Sequence, residues 1–135
     1  MKQAINSTGT PMYLTNESEH DYRFGEYGPK YLTKGPRVHF GIVVITPGEA
    51  HPCHKHKTQE ESFLVLEGEC AVYVDGERVL IKQGDYLRCE PGESHLFRNE
   101  SDKDFKSVFV KAPYSAEKDS VYIDWQPGQP FFKEE

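Results

Sequence analysis

The chain has no apolar run approaching the roughly 18 residues of a membrane span. Its first ten residues, from Met1 to Thr10, also lack the apolar stretch of a signal peptide. Basic residues are in deficit: 16 Lys and Arg against 22 Asp and Glu give a formal net charge of −6. That balance argues against nucleic-acid binding, which draws on a basic patch or stripe. Cysteine is scarce and odd in number. Cys53, Cys70 and Cys89 stand at irregular spacing with no Cys-x-x-Cys pair, which fits reduced thiols in a cytoplasm better than a disulfide framework. Helical periodicity is almost absent, and there are no repeats, low-complexity tracts or appended helix-turn-helix. The expectation is a soluble cytoplasmic protein whose partner is a small molecule, with neither nucleic acid nor membrane involved. At 135 residues, one domain can bury a core without disulfide staples.

What the chain does have is short β-branched and aromatic runs, each ended by a turn signal. Residues 38–46 stop at Pro47-Gly48, residues 62–67 at Gly68, and residues 69–74 at Asp75-Gly76. Asp-Gly between two such runs predicts a tight hairpin, because both residues tolerate positive φ. Residues 77–82 form its second strand, and 86–89, 95–99 and 106–111 follow, with 121–125 as an edge strand. Many short strands with little helical period predict an antiparallel sandwich or barrel. The first 36 residues carry no long periodic pattern. Their aromatic and glycine-rich stretch from Tyr22 to Tyr31 reads as an ordered arm or lid, or as cover for a core edge.

The most informative cluster is His-Lys-His-Lys-Thr-Gln-Glu-Glu at 54–61, with His95 further along between Pro91-Gly92 and an apolar stretch. Side chains at i and i+2 of a strand share a face, so His54 and His56 can both aim inward while Lys55 faces water. Neutral imidazoles plus a carboxylate suit Fe, Mn, Co, Ni or Zn, whereas Ca and Mg prefer oxygen. Such donors converge only if the sheet curls so that their strands share a concave face, as in a small barrel. Alternation then places Phe63, Val65 and Phe97 around them as apolar walls.

These residues resemble the two motifs of the cupins. Gly48, five residues, His54-x-His56, four residues, Glu61, six residues and Gly68 is similar to the first motif. Gly84, seven residues, Gly92, two residues, His95, three residues and Asn99 is similar to the second, with Glu90 where the family usually has proline. Glu60 and Glu61 both fall within the allowed gap, and only Glu61 leaves six residues to Gly68. The resemblance implies a double-stranded jelly-roll β-barrel with an N-terminal arm and an irregular C-terminal tail. It divides the single domain into an arm with extra strands at 1–37, the conserved barrel at 38–112 and a C-terminal segment at 113–135. It also implies His54, His56, Glu61 and His95 as ligands of a divalent transition metal, and a homodimer.

Other residues read more plainly. His51 and Cys53 are neighbours of the cluster, His20 and His39 structural histidines, and Cys70 and Cys89 small buried hydrophobes. Asn99 stabilises a loop. Tyr73, Tyr86, Arg37 and Arg88 read as strand residues and candidates for the cavity wall, whose face alternation alone does not decide. Two functions of different class follow. One is a mononuclear metal-dependent enzyme acting on a small polar or sugar-like molecule; the other is a non-catalytic module that binds or senses such a ligand.

Overall fold

The computed structural model describes residues 2–5 and 11–133. Met1 and residues 6–10 of the expected N-terminal arm, with the last two residues of the C-terminal segment, lie outside the described residues. The architecture is all-β, with one short 3₁₀ turn at Glu17–Glu19 and no α-helix among the described residues. A two-stranded hairpin pairs β1 (Lys2–Ile5) with β2 (Pro11–Leu14). The remaining strands are β3 (Gly28–Lys34), β4 (His39–Ile45), β5 (Ala50–His56), β6 (Glu60–Glu67), β7 (Glu69–Val74), β8 (Glu77–Lys82), β9 (Tyr86–Cys89), β10 (His95–Arg98), β11 (Phe105–Ala112) and β12 (Ser120–Tyr122). They make two antiparallel five-stranded sheets, ordered β12-β5-β10-β7-β8 and β3-β4-β11-β6-β9. Two facing sheets whose sequence neighbours repeatedly cross from one to the other form the expected jelly roll.

The hairpin between β7 and β8 turns at Asp75-Gly76, both with positive φ (47° and 82°), and Val74 faces Glu77 across it. The same economy explains Gly68. Its φ is +76°, and a Cβ there would collide with the backbone carbonyl of Asp104. Between the sheets, alternate residues of the inner faces meet: Val43 and Ile45 of β4, Phe63 and Val65 of β6, Phe97 of β10, and Phe105 and Phe109 of β11. Burying a side chain of this size contributes about 1.5–3 kcal/mol, so this layer dominates the stability of the barrel.

A smaller cluster lies on the other side of the first sheet. Tyr73 and Leu96 pack there under Trp125, with Ile123 and Phe131 from the tail against them. The tail is therefore an ordered cover, although of the strand expected at 121–125 only 121 and 122 pair in the ladder, within a strand that begins at Ser120. In the first 36 residues, where the sequence shows no periodicity, β3 forms the edge of the second sheet and pairs with β4 alone.

Asn99 is fully buried and ties the end of β10 to its surroundings. Its Nδ2 donates to the carbonyls of Ile45 and Lys103, both at 2.7 Å, and its Oδ1 accepts from the Ser101 backbone N–H and hydroxyl at 2.9 and 2.7 Å. Its backbone exchanges bonds with the turn at 46–49, through Gly48 and Glu49. The loops that flank both histidine strands are thereby held together.

Candidate metal centre

His54 and His95 are direct register partners on β5 and β10, and His56 follows on the same face of β5. Glu61 enters from β6 on the facing sheet. The four side chains bridge the barrel, three imidazoles from one sheet and one carboxylate from the other. His56 Nε2 lies 2.9 Å and His95 Nε2 3.1 Å from Glu61 Oε1, and His54 Nε2 lies 4.0 Å from the same oxygen. One ligand atom from each of the four falls within 4.8 Å of all the others, and His56, Glu61 and His95 are buried. Two donors that share one ion at 2.0–2.2 Å cannot stand more than about 4.0–4.4 Å apart, so the set lies close to the spread that a single ion would require.

The electrostatics suit a cation. His54 Nδ1 donates to the Pro52 carbonyl at 2.9 Å, an arrangement that leaves the Nε2 lone pair facing Glu61. Burial, reinforced by the neighbouring His95, pushes the His54 imidazole down to about 3, so it is neutral at ordinary pH. Burial works to raise the Glu61 carboxyl, but hydrogen bonds from His56 and His95 and the positive field of Lys111 outweigh it and hold it well below the usual range. The Nδ1 atoms of His56 and His95 are buried with no partner, so these rings are oriented through their Nε2 contacts with Glu61. His54 presents an Nε2 lone pair here, and His56 and His95 would do so once their protons sit on Nδ1; three such nitrogens with a buried carboxylate are the donor set of a first-row divalent ion. The cluster could hold one.

The approach to β6 is locked by Asp119. Its carboxylate accepts from the backbone N–H groups of Thr58 and Gln59, both at 2.9 Å, and from the Thr58 hydroxyl. The cluster opens into a cavity of about 580 Å³ whose walls include Tyr31, His51, Phe63, Phe97, Phe109 and Lys111. Phe63 and Phe97 thus stand where alternation places them. His51 lines the cavity with its ring 5.0 Å from that of His54 but is not one of the four converging groups. Cys53 points to the opposite face of its sheet, into the cluster under Trp125. His39 also lines the cavity; its ring stacks on Tyr114 at 4.9 Å.

The four polar residues left open by alternation all lie away from the cavity. Tyr73 faces the Trp125 side and donates to Glu100 at 2.8 Å, while Tyr86 and Arg88 are exposed on the outer face of β9. Arg37 sits in the exposed turn before β4. In their place the structure brings Tyr31 and Lys111 to the wall. Neither carries a sequence signal beyond its place in a strand, since cross-strand register decides which way it points.

A jelly-roll barrel with a buried three-histidine, one-carboxylate cluster at the inner end of a cavity defines a small β-barrel protein built around one polar centre. The model of the cupin domain family matches residues 41–111, more than half of the chain, and the protein belongs to that family. Among curated relatives, quercetin 2,3-dioxygenase of Bacillus subtilis is 35% identical over 94 residues, covering 66% of this chain and 28% of that protein. Gentisate 1,2 dioxygenase 1 of Aquipseudomonas alcaligenes is 36% identical over 66 residues, covering 49% of this chain and 19% of that protein. These matches span little more than a quarter of the first enzyme and about a fifth of the second. A double-stranded β-helix protein of Klebsiella pneumoniae, 21% identical, superposes with a TM-score of 0.72 over 83% of this chain and 97% of that one. That likeness concerns the fold alone. No helix among the described residues is long and apolar enough to cross a membrane.

Proposed function

We propose that the protein is a mononuclear metal-dependent enzyme acting on a small polar molecule, with His54, His56, Glu61 and His95 as the metal ligands. The observation that carries this reading is the convergence of three imidazole nitrogens and one carboxylate oxygen, from two facing sheets, at the inner end of a cavity. The donor set suits Fe, Mn, Co, Ni or Zn. Bound there, such an ion supplies Lewis acidity toward a carbonyl or hydroxyl oxygen.

The chain's own residues do the rest. Pro52 fixes the His54 tautomer, and Asp119 fixes the loop before Glu61. Phe63, Phe97 and Phe109 wall the cavity and exclude water from its inner end. The kinship with two dioxygenases supports oxidation of an oxygen-bearing substrate, and the aromatic walls suit one with a flat apolar part.

The test combines metal content with oxygen uptake. Protein loaded with Fe(II) and supplied with a panel of diols, diketones, phenols and sugar acids is expected to consume O₂ with at least one compound. His56→Ala should abolish uptake together with stoichiometric metal. Stoichiometric metal and tight ligand binding by thermal shift, with no turnover of any compound, would instead favour the binding module.

A further inference from the structure

A second polar feature begins one strand away from the cluster. In the second sheet, Glu61 on β6 is the register partner of Lys111 on β11, Lys111 is the partner of His39 on β4, and His39 is the partner of Lys34 on β3. Register partners sit about 4.5–5.5 Å apart at Cα. A single row across the sheet therefore runs from a carboxylate of the cluster to two lysines. The next row of partners, Phe63, Phe109, Gly41 and Tyr31, supplies the floor beneath them.

Lys111 is half-buried, and its Nζ donates to the Tyr31 hydroxyl oxygen at 2.6 Å. It also lies 5.2 Å from the centroid of the Tyr31 ring and 5.8 Å from that of Phe109, and the Lys34 Nζ lies 4.8 Å from the Tyr31 ring. Tyr31 and Phe109 meet edge to face at 5.1 Å. All of these side chains line the cavity that contains the cluster.

Among the described residues no carboxylate forms an ion pair with Lys34 or Lys111. The acidic groups that line the cavity are otherwise placed. Glu61 is engaged by His56 and His95, Asp119 by Thr58 and Gln59, and Glu117 is exposed at the rim. Two other lysines behave differently: the buried Lys30 and the half-buried Lys106 both meet Glu17 at 3.4 Å. The carboxylate nearest Lys111 is its register partner Glu61, already engaged by two imidazoles, so this half-buried ammonium gains from a second anion arriving in the cavity. Because Lys111 donates to the Tyr31 oxygen, the phenol proton remains free, so one ligand oxygen pair can accept from both Lys111 Nζ–H and Tyr31 O–H.

We propose that Lys111 and Tyr31, backed by Lys34, form a carboxylate anchor beside the four-donor cluster, and that the cavity takes a small organic acid. The acid's carboxylate is held on the β3–β4–β11 wall, which leaves its remaining oxygen functions for the cluster. The substrate class named here rests on the enzyme reading above, whereas capture of the anion depends only on residues of the wall.

The experiment titrates the full-length protein with glycolate and with its neutral counterpart glycolamide, in zinc-loaded and metal-free forms, and follows binding by NMR. Both molecules are small enough for any part of the cavity. Glycolate is expected to bind roughly tenfold or more tightly than glycolamide in the zinc-loaded form, the scale of one charge-assisted hydrogen-bond pair. A smaller preference of the same sign is expected without metal. Lys111→Met should erase the preference of the metal-free form and lower that of the zinc-loaded form, Tyr31→Phe should reduce it severalfold, and Lys103→Met, on an exposed loop, should leave it intact. Elemental analysis of the same samples reports zinc independently, so loss of the metal site and loss of the anchor are read apart. The proposal is overturned if the two ligands bind equally to the wild type, or if Lys111→Met leaves the preference undiminished. It is equally overturned if Lys111→Met releases zinc while the metal-free preference stays unchanged, because Lys111 would then serve only Glu61.

Discussion

Glu61 and Lys111 face each other directly across β6 and β11, a buried carboxylate and a half-buried ammonium on the same inner face. The pair joins the two halves of the cavity. One residue points toward three histidines of the opposite sheet, the other toward a tyrosine hydroxyl. The positive field of Lys111 adds to the hydrogen bonds that keep Glu61 ionised.

Acid should destabilise the metal-free protein through the cluster. The folded-state value of His54 is about 3 against an ordinary 6.5, so between these limits the unfolded chain binds a proton that the folded chain does not. Stability therefore falls as pH is lowered from about 6.5 toward 3, by at most about 1.4 kcal/mol per pH unit from this one group. Glu61 acts in the same direction: its folded value is depressed, so its contribution is present above 4.5 and lost as pH falls through the folded value. Urea denaturation of the metal-free protein at a series of pH values checks the slope, and His54→Ala should flatten it.

Asn99→Ala should cost about 1–3 kcal/mol, because it leaves the buried Ile45 carbonyl and the Ser101 N–H without their side-chain partner. Thermal and urea denaturation measure the loss. Metal stoichiometry at low temperature should persist, since Asn99 touches none of the four donors.

Gly41→Ala places a methyl group against the Lys30 carbonyl and 2.5 Å from Phe109 Cζ. The carbonyl belongs to the neighbouring backbone and the ring is fully packed, so overpacking should cost roughly 1–3 kcal/mol. Phe109 supports Tyr31, and the displacement should also weaken glycolate binding while zinc content stays unchanged. Denaturation curves and the ligand titration on the same variant separate the two effects.

Much of this architecture can be read from the chain because local signals and global packing agree. The positive-φ pair Asp75-Gly76 marks the hairpin, and the i, i+2 spacing of His54 and His56 puts both on one face of β5. The four side chains that the spacing groups together are the four that converge. Other parts are not legible, for physical reasons. β3 is an edge strand with a register shift between Tyr31 and Thr33 and a proline at position 29, so it shows no clean alternation. Lys111 lies near the end of β11, two residues beyond the inward Phe109; a charge there reads as solvent-facing until its pairing with the buried Glu61 is seen. Tyr73 would pass for a cavity residue until the tail carrying Trp125 is seen to cover its face.

X-ray absorption at the metal edge of the zinc-loaded protein tests the central claim most directly. Three imidazole nitrogens and a carboxylate oxygen at about 2.0–2.2 Å are predicted, with the bound-zinc signal lost in His56→Ala and unchanged in His51→Ala. A spectrum without imidazole scattering, or one that His56→Ala leaves untouched, would contradict the account.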